Sequence, residues 1–164
     1  MMTFLKAIEQ TFCKLQQPTL EELKAALTAL GPDLKLVPDY KTEPAHLPYG
    51  RNVIYSSDQL EVIVIHIPAN RSTAIHNHGD SIGIAYMAEG SIVNTTHMLD
   101  EHGYPIPEKD DFVQAGQLFV APADQIHQLS NPFPERAISL HVYSPPLRNT
   151  NRYLPYSDVL DYVI

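Results

Sequence analysis

Apolar residues near the start of the chain recur with a helical period. Phe4, Ile8, Phe12 and Leu15 make one apolar face and predict a first helix. A second helix is predicted from Thr19, directly after Pro18. Thr19 and Glu22 have the spacing of a capping box, in which each side chain satisfies the other's free backbone N–H. Leu20, Leu23, Leu27 and Leu30 supply the apolar stripe, and Gly31 followed by Pro32 is a stop signal. From about residue 48 the period changes. "NVIYSS", "LEVIVIHIPA", "SIGIAYMAEG", "SIVNTTHML", "FVQAGQLFVAP" and "AISLHVYSP" are short β-rich runs, with Gly, Pro, Asn or Asp between most of them. Gly90 is predicted to turn a hairpin between two of these strands. "LDEHGYPIPEKDD" is polar, contains prolines and reads as a loop. Strands at this density, with no helices between them, predict a mainly β sandwich or barrel with two N-terminal helices packed on it. The chain then divides, within one domain over 1–164, into a helical part (1–31), a barrel (about 48–147) and a C-terminal extension (148–164).

Composition narrows the class without naming a partner. A chain of 164 residues fits one domain with one core, and 44% hydrophobic with 18% charged residues describes a folded protein. The net charge of −8 argues against non-specific nucleic-acid binding and against anionic membrane surfaces. A single cysteine, Cys13, builds no internal disulfide, and its helical surroundings read as a small buried packing residue. Lys6, Glu9 and Gln10 interrupt the apolar start, so it does not read as a signal peptide. No apolar run approaches the ~18 residues needed to span a membrane. The expectation is a soluble cytoplasmic monomer.

Eight histidines carry the candidate chemistry. His97 and His102 flank the polar loop and are expected to be solvated. His46 follows "KTEPA" and reads as loop surface. His66, in "EVIVIHIP", is either a satisfied core histidine or an outward one. His76 and His78 differ in geometry. On a strand, residues i and i+2 project to one face, so two imidazoles there can reach one metal. The third ligand must then come from a neighbouring strand. His127, just past a Pro-containing turn and before Asn131, is the candidate. Ser139, His141 and Tyr143 also follow the strand period. They either form a line of hydrogen bonds that orients the Tyr143 hydroxyl or belong to an ordinary polar strand face. Arg51 carries a permanent guanidinium suited to a carboxylate, and its alternative is a surface arginine.

"HNH" followed by Gly90, and then Gly116, Pro122, His127 and Asn131, resembles the two motifs of the cupin superfamily. Asp124 and Asn70 stand where motif glycines are usual, and the usual glutamate ligand is replaced by Ile82 or Gly83. Three neutral imidazoles then remain, which leave part of an Fe(II) coordination sphere open, or one position on Zn(II). Neutral ligands preserve the metal's positive charge, which favours a bound thiolate. Together with "YGRN" (Tyr49–Asn52) and "SLHVYSPP" (Ser139–Pro146), the set is similar to the cysteine dioxygenases, the thiol dioxygenase branch of the cupins, over roughly residues 48–147.

That resemblance implies a jelly-roll β-barrel with one Fe(II) per chain held by His76, His78 and His127. It implies L-cysteine and O2 as substrates and cysteine sulfinic acid as product. Arg51 would hold the substrate carboxylate with Tyr49 nearby, and Ser139, His141 and Tyr143 would form a relay beside the iron. A cis bond between Ser144 and Pro145 is also implied. Many animal members carry, at the position of Gly83, a cysteine cross-linked to the tyrosine matching Tyr143. Glycine there predicts no Cys–Tyr cross-link, as in bacterial-type members. Two alternatives stand beside this reading. One is a dioxygenase of another small thiol such as 3-mercaptopropionate, whose enzymes typically place glutamine where Arg51 stands. The other is a non-catalytic metal-binding cupin.

Overall fold

A computed structural model describes residues 1–161; the end of the expected C-terminal extension, 162–164, lies outside the described residues. The first helix, α1 (Phe4–Phe12), starts at Thr3, whose hydroxyl accepts from the Lys6 N–H at 3.2 Å. It buries Phe4, Ala7, Ile8 and Phe12. Cys13 lies one residue past this face, at the C-cap, and is exposed, so the expected packing role is corrected. The second helix, α2 (Leu20–Ala29), begins with the predicted capping box at Thr19 and Glu22. The helical part does not stop at Gly31. A 3-10 helix follows over Gly31–Tyr40 and buries Leu34 and Val37.

The remaining elements are strands β1 (Gly50–Ser56), β2 (Glu61–Ile67), β3 (Arg71–Ser72), β4 (Ile75–His76), β5 (Ile82–Glu89), β6 (Ser91–Leu99), β7 (Pro105–Gln114), β8 (Leu118–Ala121), β9 (Ile126–Asn131), β10 (Ala137–Ser144) and β11 (Arg152–Tyr153), and a short α3 (Tyr156–Asp161). They form two antiparallel sheets, ordered β1-β2-β10-β5-β8 and β11-β4-β9-β6-β7, with β3 paired to β9. The five-stranded sheet is the middle layer. One of its faces sets Val62, Val64, Ile138, Leu140 and Val142 against the helices. The other sets Ile63, Ile65 and Ile67 against Ile92, Val113 and Leu129 of the second sheet. Burial on both faces explains why "EVIVIHI" is a continuous apolar run instead of an alternating one.

Three sequence expectations differ from the structure. Gly90 does not close a hairpin, because β5 pairs with β10 and β8 while β6 pairs with β7 and β9. Gly90 instead passes the chain from one sheet to the other, at φ +76°, where a side chain would strike the Arg136 carbonyl. The expected loop 99–111 is mostly strand. β7 lies at the edge of its sheet and pairs only with β6 across an irregular register, so Pro105 and Pro107 cost it little. Pairing covers His97, which is buried and donates from Nδ1 to the Thr95 carbonyl at 3.1 Å instead of being solvated. Asn70 and Asp124, standing where motif glycines are usual, hold φ of +60° and +67°. Short polar side chains tolerate this left-handed region best after glycine. The Ser144–Pro145 bond is cis. Among the described residues, no helix is long and apolar enough to cross a membrane.

Candidate metal centre

β4 and β9 lie side by side with His76 directly opposite His127. His78 lies beyond the end of β4, so strand period alone does not aim it. The residue between the two histidines does. Asn77 is buried, its N–H donates to the Asn151 carbonyl at 3.0 Å, and its Oδ1 accepts from the N–H groups of Asn151 and Gly79 at 2.9 and 3.2 Å. This keeps the segment extended past the strand end and turns His78 inward beside His76.

The three imidazoles converge. Nε2 of His78 lies 3.2 Å from Nε2 of His76 and 3.3 Å from Nε2 of His127. His76 Nδ1 donates to the Ala74 carbonyl at 2.7 Å, and His127 Nδ1 donates to Asn94 Oδ1 at 2.9 Å. A neutral imidazole that donates from Nδ1 presents a bare lone pair at Nε2. Burial pushes all three pKa values down, to about 3 for His78 and well below the ordinary value for His127. Protons are therefore a poor way to relieve lone pairs that face one another at this distance. A cation among them does so, and the three nitrogens fit a divalent metal with open positions. The Asn94 carbonyl fixes the His127 ring, as outer partners of metal ligands do. Asn94→Ala is expected to weaken metal affinity ~10–100-fold, measured by competition with a chelator.

The Ser139–His141–Tyr143 line is present on β10. Ser139 Oγ lies 2.7 Å from His141 Nε2, and His141 Nδ1 lies 3.1 Å from the Tyr143 hydroxyl. All three side chains are buried. Burial lowers the His141 pKa to about 3, so the ring is neutral and carries one N–H. The Ser139 hydroxyl has no other hydrogen-bond partner among the described residues, so it is satisfied as a donor only if it donates to Nε2. His141 then donates from Nδ1 to Tyr143, and the phenol proton is free to point into the cavity. Burial raises the Tyr143 pKa well above the ordinary tyrosine value, so the phenol keeps that proton at neutral pH.

A depressed histidine pKa also sets a pH dependence. Between about 6.5 and about 3 the unfolded chain carries a proton on His141 that the folded chain lacks. Stability is full above this window and falls as pH falls through it, by about 1.4 kcal/mol per pH unit from this group. In metal-free protein the urea midpoint is expected to drop on acidification, and His141→Gln is expected to flatten that slope.

One cavity of about 540 Å3 is lined by Tyr49, Arg51, His76, His78, His141 and Tyr143, together with residues that sequence reasoning did not single out. Arg51 is half exposed, and its guanidinium is only 3.9 Å from Glu61, whose same oxygen accepts from the Leu147 N–H at 2.9 Å. Gly83 pairs with Tyr143 across β5 and β10, and a Cβ there would fall 2.7 Å from the Tyr143 ring. Neither Ile82 nor Gly83 offers a metal ligand. His46 and His102 are exposed, and neither lines the cavity. His66 is buried and donates from Nδ1 to the Thr42 carbonyl at 3.1 Å, a satisfied structural role. The residues missed were Asn77, Asn94 and Arg152. The spacing of Asn77 between the histidines was the only signal for any of them; Asn94 and Arg152 reach the site through strand pairing.

Comparison with solved structures places the fold. A protein from Klebsiella pneumoniae described as an uncharacterized conserved protein with a double-stranded beta-helix domain matches with TM-score 0.58 and 20% identity, over 71% of this chain and 88% of that one. TT1209 from Thermus thermophilus matches with TM-score 0.56 and 17% identity, over 67% and 94%. The polyketide cyclase RemF from Streptomyces resistomycificus matches with TM-score 0.55 and 18% identity, over 77% and 88%. At these identities the likeness is one of fold, a mainly β cupin barrel. A family model described as cysteine dioxygenase type I matches residues 45–155. That span contains every residue lining the cavity, from Leu47 to Arg152, as well as His127, and with it the chain belongs to the cysteine dioxygenase type I family.

Proposed function

We propose that this chain oxidises the thiol of L-cysteine with O2 to cysteine sulfinic acid, at a mononuclear Fe(II) held by His76, His78 and His127. The observation that carries the reading is the meeting, in one cavity, of convergent neutral imidazoles, a loosely paired guanidinium and a phenol oriented by His141. Both atoms of O2 end on sulfur, the sulfur gives up four electrons to them, and the thiol proton is retained in the sulfinic acid, so no further reductant is needed. The iron, when bound, supplies the open positions and the one-electron chemistry that O2 requires.

The residues of the chain orient the reactants. Arg51 binds the substrate carboxylate, because its planar charged donors match two carboxylate oxygens, and Tyr49 lies in the same wall. Ile63, Ile65 and Leu129 give part of the cavity an apolar lining, which disfavours water beside the reactants. Tyr143 donates its hydroxyl hydrogen bond into the cavity while His141 and Ser139 hold the direction of that donation. The phenol acts unmodified: Gly83 stands against its ring, and the single cysteine of the chain is exposed at the end of α1. The test is to load the protein with Fe(II) and L-cysteine without air, then admit O2 and follow sulfinate. Sulfinate formation with matching O2 uptake supports the reading, and its absence from iron-loaded protein overturns it.

A further inference from the structure

The cavity holds more room and more positive charge than L-cysteine uses. At about 540 Å3 it falls in the range of sites for much larger ligands. A second arginine, Arg152, lines it together with Arg51, and no aspartate or glutamate lines it, although the chain as a whole has a net charge of −8. The two arginines come from different sheets. Arg51 lies on β1, at an edge of the five-stranded sheet, and Arg152 lies on β11, at an edge of the six-stranded sheet and directly opposite His76.

Arg152 is placed there by the metal-binding segment itself. Its neighbours on both sides are bonded to Asn77: the Asn151 carbonyl accepts from the Asn77 N–H, the Asn151 N–H donates to Asn77 Oδ1, and the Tyr153 hydroxyl accepts from Asn77 Nδ2 at 3.2 Å. Among the described residues the Arg152 side chain makes no ion pair and no hydrogen bond. The hydroxyl-bearing residues Ser72 and Thr150 line the same cavity. A divalent cation and two arginines carry four positive charges; the thiolate and carboxylate of L-cysteine and the Glu61 carboxylate beside Arg51 offset three of them, which leaves one.

We propose that Arg152 is a second carboxylate-binding residue and that the pocket takes a small thiol bearing two carboxylates, one on Arg51 and one on Arg152. This rests on the thiol-oxidising reading of the site and specifies its substrate class. A charge-assisted hydrogen bond to a second carboxylate raises affinity by about tenfold or more.

The test is anaerobic calorimetry on Fe(II)-loaded protein with 2-mercaptosuccinate and 3-mercaptopropionate, which differ by one carboxylate. About tenfold tighter binding of the dicarboxylate is expected. In Arg152→Gln the ratio of the two affinities is expected to fall to within about twofold of unity, and in Arg152→Lys to stay between these values. Equal affinities in the parent protein, or a ratio that survives Arg152→Gln, overturn the proposal. A comparison that needs no variant sets 2-mercaptosuccinate against its monomethyl ester, which keeps the size and drops one charge; equal binding overturns the proposal as well. Because these readouts need no O2, they stand apart from the sulfinate test. Sulfinate from L-cysteine with no preference for the dicarboxylate removes this inference alone.

Discussion

Replacing His127 with alanine is expected to lower metal affinity by more than ~100-fold and to abolish thiol oxidation. Loss of a partner such as Asn94 weakens a metal site, and loss of the ligand itself must cost more. His127 is buried and directly opposite His76, and among the described residues the group that could hold a metal consists of His76, His78 and His127. Two imidazoles then remain, joined only by the loop at Asn77. The fold is expected to persist, because the apolar residues packed between the two sheets, such as Ile65 and Leu129, do not depend on this ring. Metal content after dialysis, followed alongside sulfinate formation, checks both parts. A variant that still holds stoichiometric metal would show that His127 is not a ligand.

Arg51→Gln is expected to lower kcat/KM for L-cysteine by about 10–100-fold. It is also expected to raise the relative turnover of 3-mercaptopropionate. A glutamine amide still donates hydrogen bonds but carries no charge, so it loses the charge-assisted part of carboxylate binding. Stability should hardly change. The Arg51–Glu61 contact is 3.9 Å long and half exposed, and such pairs contribute little. Kinetics with both thiols, set beside a urea melt, separate a substrate-binding role from a structural one. An unchanged preference between the thiols would remove Arg51 from the site.

Much of the site was legible because its chemistry lies in local patterns. The capping box at Thr19 and Glu22 is complete within one turn of helix, so it needed no tertiary context. The i, i+2, i+4 spacing of Ser139, His141 and Tyr143 worked because β10 pairs with β2 in unbroken register from Ala137 to Tyr143. The same reasoning misplaced β7. Its prolines and charges look like a loop, and only its place at a sheet edge makes them compatible with a strand. Gly90 failed for a related reason: a turn residue is visible in a sequence, but which sheet the next strand joins is not.

The sequence by itself determined the ligand types, the absence of a carboxylate beside them and the line of hydrogen-bonding groups on β10, since each depends on residue identity and short-range period. Tertiary structure decided what the sequence could not hold. It set His76 opposite His127, passed the chain between sheets at Gly90 and folded residues 148–153 back onto Asn77. That last step turned an expected C-terminal extension into a wall of the cavity and set Arg152, opposite His76, among the residues that line it with Arg51. The physical reason is that hydrogen-bonded pairing between distant strands is chosen by burial and register over the whole barrel, and neither is written in any local stretch of residues.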